Sequence, residues 1–279
     1  MPELPAVHTV TTRLDAELRG STVASVRVLR PDIVRHGPRD LGRRLAGRAI
    51  DRIDRHGKQI VCRLAPDVEL RVHLGMTGNL AVVPRVAALL PHTHVRMTFA
   101  GRDDELRFRD PRRFGGLWLV EGGIAGGRFS IPLGPDALAI DLPTFRSVLA
   151  RPKRIKALLL DQSAIAGLGN IYVDEALHRA GIHPLRIASG LDHRRAERLH
   201  GEVRAVLDEA IAAGGSSLRD YRGADGEPGW FQVEHRVYGR EGEPCTTCGR
   251  PIRRILVATR STHLCTRCQP APRPRRARS

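Results

Sequence analysis

The 279-residue sequence has no apolar run approaching the ~18 residues of a membrane span, and its N-terminus lacks the charged start and long apolar stretch of a secretory signal. These absences predict a chain that stays in the cytosol and binds no membrane. Acidic residues are also scarce, 30 Asp plus Glu against 46 Lys plus Arg, for a formal net charge of +16 and a pI near 11.1. Such an imbalance points to a polyanionic partner. The last ten residues supply only Arg273, Arg275, Arg276 and Arg278 of the excess, so most of it lies in the folded part. Lysine is nearly absent: all but three of the basic residues are Arg, whose planar fork suits bidentate phosphate contacts. A GC-rich genome would produce the same bias. Cysteine is almost confined to one place, with Cys62 alone in a strand-like run and the other four between 245 and 268. In a reducing compartment that clustering reads as metal, and Cys62 as an ordinary buried thiol.

The length suits two domains better than one. Val7, Val10, Leu14 and Leu18 share one face of a helix over 7–19, stopped by Gly20. From about 22 to 120 the pattern changes to short strand-like runs, Thr22–Val28, Gln59–Leu64, Glu69–Leu74, Val95–Phe99 and Leu106–Phe108, which predict a β-sandwich or flattened barrel. Gly-rich 121–127 marks a hinge. Helical sequence follows: Asp141 and Pro143 open a helix toward Leu149, and others are expected at Ile155–Asp161, Tyr172–Ala180 and Asp192–Ala213. Residues 222–229 read as loop, and the Pro/Arg-rich tail from Pro270 as disordered.

The strongest local signal is Cys245-x2-Cys248-x16-Cys265-x2-Cys268, the spacing of a four-thiolate zinc site. Four protein ligands leave the metal no open position, so one structural zinc ion is expected. Between the knuckles, Arg253, Arg254 and Arg260 flank the apolar strand Ile255–Val257 on an expected hairpin. Zinc would hold that hairpin rigid for Arg260 to reach a phosphate; a solvated charge face is the competing reading. At the other end, removal of Met1 would leave Pro2 with a free secondary amine before Glu3. A terminal amine has an unperturbed pKa of about 7.7–8.0 and can attack sugar carbons to give Schiff bases. By itself, however, a Pro-Glu start usually reads as a solvated terminus.

Several stretches together change that balance: Met1–Pro5 (MPELP), His56–Lys58, His73–Gly78 (HLGMTG), Asp110–Gly115 (DPRRFG), Asp161–Gln162 with Ala166–Tyr172 (AGLGNIY), Gly181–Leu185 (GIHPL), Gly229–Gln232 and Tyr238–Gln269. In kind and order they resemble the formamidopyrimidine-DNA glycosylase/endonuclease VIII family, the formamidopyrimidine branch in particular. The resemblance implies an α+β fold: an N-terminal β-sandwich flanked by helices, then a helix-two-turns-helix domain and a C-terminal β-hairpin zinc finger. The corresponding spans are a catalytic domain over 1–130, a DNA-binding domain with a lesion loop over 131–235, a zinc finger over 236–269 and a basic tail over 270–279.

The same resemblance implies roles. Pro2 would attack C1′ of a damaged nucleotide, Glu3 would serve as general acid and base, and Lys58 would support catalysis and contact phosphate. Asn170 and Arg260 would grip the phosphates flanking the lesion. Met76, Arg112 and Phe114 would fill the void left by an extruded base; apart from the resemblance, Met76 and Phe114 read as core. Ser216–Trp230 matches the lesion-covering loop. The sequence departs from the family pattern at Ala6, where a Glu is usual, and at His8, where another is common. The expected function is a monomeric bifunctional glycosylase and abasic-site lyase, acting at the nucleoid on oxidised purines in double-stranded DNA with a damaged base or abasic site. Two alternatives remain open: the same chemistry on oxidised pyrimidines or another lesion, and damage binding without catalysis.

Overall fold

The structure, a computed structural model, describes residues 2–36, 40–121, 132–214 and 235–272. They fall into two compact units, the first holding the described residues of 2–121 together with 211–214, and the second the described residues of 132–210 and from 235 onward.

In the first unit, α1 (Leu4–Leu18) begins three residues before the apolar periodicity that announces it. Pro5 lies in its first turn, where a missing N–H costs nothing, so the helix extends back to Glu3 at the N-cap position. Val7, Val10, Leu14 and Leu18 are buried as the pattern requires, each complete burial of a Leu contributing roughly 1.5–3 kcal/mol. Gly20, at φ +79°, turns the chain away from the helix.

Among the described residues nine strands follow: β1 (Val23–Val28), β2 (Val34–His36), β3 (Ile50–His56), β4 (Gln59–Leu64), β5 (Val68–His73), β6 (Asn79–Pro84), β7 (Thr93–Phe99), β8 (Asp104–Arg109) and β9 (Gly116–Glu121), with the short helix α2 (Leu41–Leu45) after β2. They form a four-stranded sheet, β1-β7-β8-β6, and a five-stranded sheet, β2-β9-β5-β4-β3. Both sheets and α1 contribute to one apolar core, including Leu14, Leu18, Ile53, Ile60, Val72, Met97, Phe99 and Phe108. The sequence patterns locate β1, β4, β5, β7 and β8 but not β2, β3, β6 or β9. In β3, charged residues alternate with few apolar ones (IDRIDRH), and only pairing with β4 makes it a strand. Cys62 is a core thiol, and burial pushes its pKa up to about 12, which leaves it inert.

The second unit is helical: α3 (Leu142–Leu149), α4 (Ile155–Leu159), α5 (Asn170–Ala180) and α6 (His193–Ala212), followed by a hairpin of β10 (Arg253–Val257) and β11 (Arg260–Leu264). Asp141 caps α3 by accepting the Thr144 N–H at 2.8 Å. In α5 every residue from Ile171 to Ala180 is buried, charged ones included, and Gly181 at φ +69° ends it. A helix buried all round cannot dock by a single apolar stripe, and its polar side chains must find partners inside. Among the described residues, no helix is long and apolar enough to cross a membrane. The hinge expected at 121–127 lies almost wholly, and the loop at 222–229 and the lesion loop Ser216–Trp230 wholly, outside the described residues; most of the tail does too.

Candidate functional site

In the first unit, strand register gathers the candidate residues at one end of the five-stranded sheet. Gln59 at the start of β4 pairs with His73 at the end of β5, and His73 pairs with Gly116 at the start of β9. Lys58, the Met76 turn and the Arg112–Phe114 turn therefore emerge side by side. Lys58 occupies a two-residue hairpin loop with Gly57, whose φ of +57° supplies the left-handed conformation that such loops require. Pro2 and Glu3 reach the same end by a different route. The Gly20 N–H donates to the Ile50 carbonyl at 2.8 Å and the Ile53 N–H to Asp15 Oδ1 at 2.7 Å, so α1 runs antiparallel to β3. Twelve helical residues back from Asp15 is about 18 Å, and the five strand residues from Ile53 to Lys58 cover about 17 Å. Both chains thus end level.

Pro2, Glu3 and Lys58 are all buried, Glu3 being 6 % and Lys58 7 % exposed. Beside them, burial pushes the His73 pKa down to about 4, helped by the Lys58 ammonium and opposed by Asp110. His73 is therefore neutral at pH 7, and its Nδ1 accepts the Gly75 N–H at 3.0 Å. Met76 is half-buried, whereas Arg112 and Phe114 are exposed, Phe114 at 57 %, which removes the core reading for Phe114. The Arg112 guanidinium carbon lies 4.8 Å from the Phe114 ring centroid, a cation–π pair standing in solvent. Ala6 is buried in the apolar core, so the family departure puts a methyl group where a carboxylate is usual.

In the second unit, Gln162 shapes the glycine-rich stretch before α5. Its Nε2 donates to the Leu160 and Leu168 carbonyls, at 3.0 and 2.9 Å, and its Oε1 accepts the Gly167 N–H at 3.0 Å. This delivers Asn170 to the first position of α5, where helix N–H groups have no partner within the helix and favour anions. Asn170 Nδ2 donates to the Ser261 carbonyl at 2.9 Å, which sets it beside Arg260. Its Oδ1 is buried and has no hydrogen-bond partner among the described residues. Arg260 follows the two-residue loop Ala258-Thr259, whose φ values of +50° and +62° strain residues that are not glycine. Its exposed side chain makes no hydrogen bond or ion pair among the described residues, whereas Arg254 is turned sideways onto Ser261 Oγ at 3.0 Å.

Cys245, Cys248, Cys265 and Cys268 place their sulfurs within 4.8 Å of one another. Tetrahedral bonds of about 2.3 Å to zinc set neighbouring thiolates about 3.8 Å apart. The Cys245–Cys268 and Cys248–Cys265 pairs lie at 3.9 and 3.4 Å, so the cage fits one zinc ion, with every ligand supplied by the chain. His178 Nε2 approaches Cys245 Sγ to 3.5 Å.

The fold-positioning residues that sequence reasoning missed are mostly acidic. Glu175 accepts the N–H groups of Arg236, Val237 and Tyr238 at 2.8–3.0 Å, anchoring the chain as it enters the zinc segment. Asp174 accepts the His263 N–H at 2.8 Å. Neither partner is near in sequence, so no local signal could have revealed them.

The described residues thus combine a β-sandwich in which Pro2 and Glu3 are buried, a helical unit and a hairpin carrying four clustered cysteines. Comparison with known families and structures agrees along the chain. Residues 1–117 match the formamidopyrimidine-DNA glycosylase N-terminal domain, 133–222 its H2TH domain, and 242–271 the zinc finger found in FPG and IleRS. The formamidopyrimidine-DNA glycosylase of Geobacillus kaustophilus is 45 % identical, over 96 % of this chain and 100 % of the relative. That of Thermus thermophilus is also 45 % identical, over 96 % and 98 %. Among solved structures, a Lactococcus lactis FPG variant in complex with Fapy-dG containing DNA superposes with a TM-score of 0.88 at 36 % identity, covering 97 % of this chain and 100 % of that one. MutM in complex with carbocyclic 8-oxo-G containing DNA gives 0.87, again at 36 % identity, 97 % and 100 %. The chain belongs to the formamidopyrimidine-DNA glycosylase family.

Proposed function

We propose that this protein is a bifunctional DNA glycosylase and abasic-site lyase that removes oxidised purines, 8-oxoguanine and formamidopyrimidines, from duplex DNA. What supports the reading is that Pro2, Glu3 and Lys58 are all buried, and that the strand register and the bonds from β3 to α1 carry Glu3 and Lys58 toward the same end of the first unit. Pro2 stands just before α1, and its secondary amine, once Met1 is removed, is a nucleophile. Its nitrogen attacks C1′ while the bond to the base breaks, and Glu3 exchanges the protons that the departing base and opening sugar require. The resulting iminium acidifies the C2′ hydrogen. Loss of that proton expels the 3′ phosphate, a second elimination expels the 5′ phosphate, and water then releases Pro2. Lys58 offers an ammonium to the phosphate charge.

The remaining candidates bind rather than react. Asn170 and Arg260 grip phosphates near the lesion, and zinc on the four cysteines holds the hairpin that carries Arg260. Met76, Arg112 and Phe114 enter the stack to replace the extruded nucleotide, Arg112 bonding the orphaned base. The domain assignment that accompanies this reading is catalytic over 1–130, DNA-binding over 131–235, zinc finger over 236–269 and basic tail over 270–279, in a monomer working at chromosomal DNA in the cytoplasm. The buried methyl of Ala6 favours a second reading, in which the same chemistry is directed to oxidised pyrimidines or another lesion.

The test is borohydride trapping. Protein with a processed N-terminus should form a covalent adduct with abasic-site DNA, while a protein with Met1 retained or a tag fused ahead of Pro2 should bind DNA and form none, because an amide nitrogen has no basic lone pair. An adduct from the blocked protein would move the nucleophile elsewhere, Lys58 first. Duplexes each carrying one defined lesion then rank the substrates.

A further inference from the structure

If Met76, Arg112 and Phe114 enter the base stack together, three side chains from two separate turns must keep one shape while they do so. The turns are 74–78, between β5 and β6, and 110–115, between β8 and β9. Their backbones touch: a Cβ on Gly75, at φ +63°, would meet Gly115 N at 2.3 Å, and one on Gly115 would meet the His73 carbonyl at 2.4 Å. At the centre lies the Asp110 carboxylate, fully buried. Its Oδ1 accepts the Thr77 hydroxyl at 2.6 Å and its Oδ2 the Gly115 N–H at 2.8 Å. Thr77 Oγ1 accepts in turn from the Arg112 N–H at 3.2 Å. One carboxylate and one hydroxyl thus bind the residue after Met76, the backbone of Arg112 and the residue after Phe114.

We propose that Asp110 and Thr77 are positioning residues, a clasp that presents Met76, Arg112 and Phe114 as one preformed wedge; this rests on the void-filling reading above. Two short turns left independent would each have to be ordered when the base is extruded, and that loss of conformational freedom would add to the barrier. The clasp meets that cost during folding instead. Its outer side is braced as well. Arg113 takes a left-handed conformation at φ +54°, held by its ion pair to Asp32 at 2.7 Å and by Arg35 Nη2 donating to the Arg113 carbonyl at 2.7 Å. Arg112 and Phe114, on either side of Arg113, can then stack on each other.

The full-length protein tests this with Thr77→Val, Thr77→Ser, Asp110→Asn and Phe114→Ala. Each variant is assayed under single turnover for excision of a lesion from duplex and for cleavage of a pre-formed abasic site. Valine keeps the shape of Thr77 and removes the hydroxyl, so excision should fall about tenfold, the scale of one lost hydrogen bond to a charged group, with abasic-site cleavage within about twofold of the parent. Thr77→Ser should restore excision. Asn at 110 has one acceptor oxygen for two donors and should be at least as impaired as Thr77→Val; should it not fold, the Thr77 pair still decides. Parental excision by Thr77→Val, equal losses on both substrates, or no rescue by serine would overturn the clasp. Phe114→Ala separates the two ideas. If it is selective for excision and Thr77→Val is not, only the clasp fails; if it slows both substrates equally, the void-filling reading fails and the clasp with it.

Discussion

Lys156 Nζ lies 2.6 Å from Asp174 Oδ1, with neither side chain reaching water. The pair joins α4 to α5, and both partners continue into the hairpin: Lys156 donates to the Ser261 carbonyl at 3.1 Å and Asp174 Oδ2 accepts the His263 N–H. Asn170 holds that same Ser261 carbonyl, so the strand that begins with Arg260 is tied to α4 and α5 at Ser261 and again at His263. A buried ion pair is weak evidence of net stability, because desolvation offsets most of the attraction, but one half left alone is costly.

Lys156→Met should therefore destabilise the second unit by about 3–5 kcal/mol, since it strands the Asp174 carboxylate. Lys156→Met with Asp174→Leu should recover part of the loss but not all, because the His263 N–H then lacks its acceptor. Urea unfolding of the three proteins measures this. A single mutant as stable as the parent would mean that water reaches the pair.

Stripping the zinc should loosen the hairpin and the 235–238 segment and abolish tight duplex binding, with the first unit left folded. Among the described residues the apolar cluster around the cage is Val237, Cys245, Ile252 and Cys265 with Cys248 and Cys268 packed against it, too small to hold the segment without metal. Hydrogen exchange after chelation, with metal analysis of the native protein, tests both halves. Active protein without stoichiometric zinc, or equal exchange in the two units after chelation, would contradict the account.

Arg260→Ala should weaken duplex binding and reduce the slope of log K against log salt by roughly one unit, for one lost phosphate contact. Arg254→Ala should change the slope less, because that guanidinium is already turned onto Ser261. Binding isotherms at several salt concentrations provide the comparison, and an unchanged slope for Arg260→Ala would make it a solvated charge.

His73 sets an acid limit on the first unit. Its folded pKa of about 4 is below the ordinary 6.5, so its contribution is complete above 6.5 and is lost as pH falls toward 4, where the unfolded chain binds a proton that the folded one refuses. The depression corresponds to at most about 3 kcal/mol. Protonation would also end acceptance of the Gly75 N–H and release the Met76 turn. His73→Asn keeps an acceptor and cannot titrate, so it should flatten the loss of stability between pH 6.5 and 4. An unaltered pH profile would assign that loss to other groups.

The sequence by itself determined the family, the zinc ligands and most of the regular elements, because these signals are local. Cysteine spacing, a helical apolar face on α1, a cap at Asp141 and contiguous motifs can each be read within about twenty residues. Tertiary structure alone decided which of the named residues share a place. Lys58, Met76 and Phe114 stand together because β4, β5 and β9 pair in one register, and Glu3 joins their end because α1 packs antiparallel to β3. Strand β3 escapes notice in the sequence because its polar alternation acquires meaning only from its partner. The same holds for Asp110, Asp174 and Glu175: a carboxylate in a sequence is a surface charge by default, and it becomes an organising group only when burial removes its water and the fold supplies donors from tens of residues away.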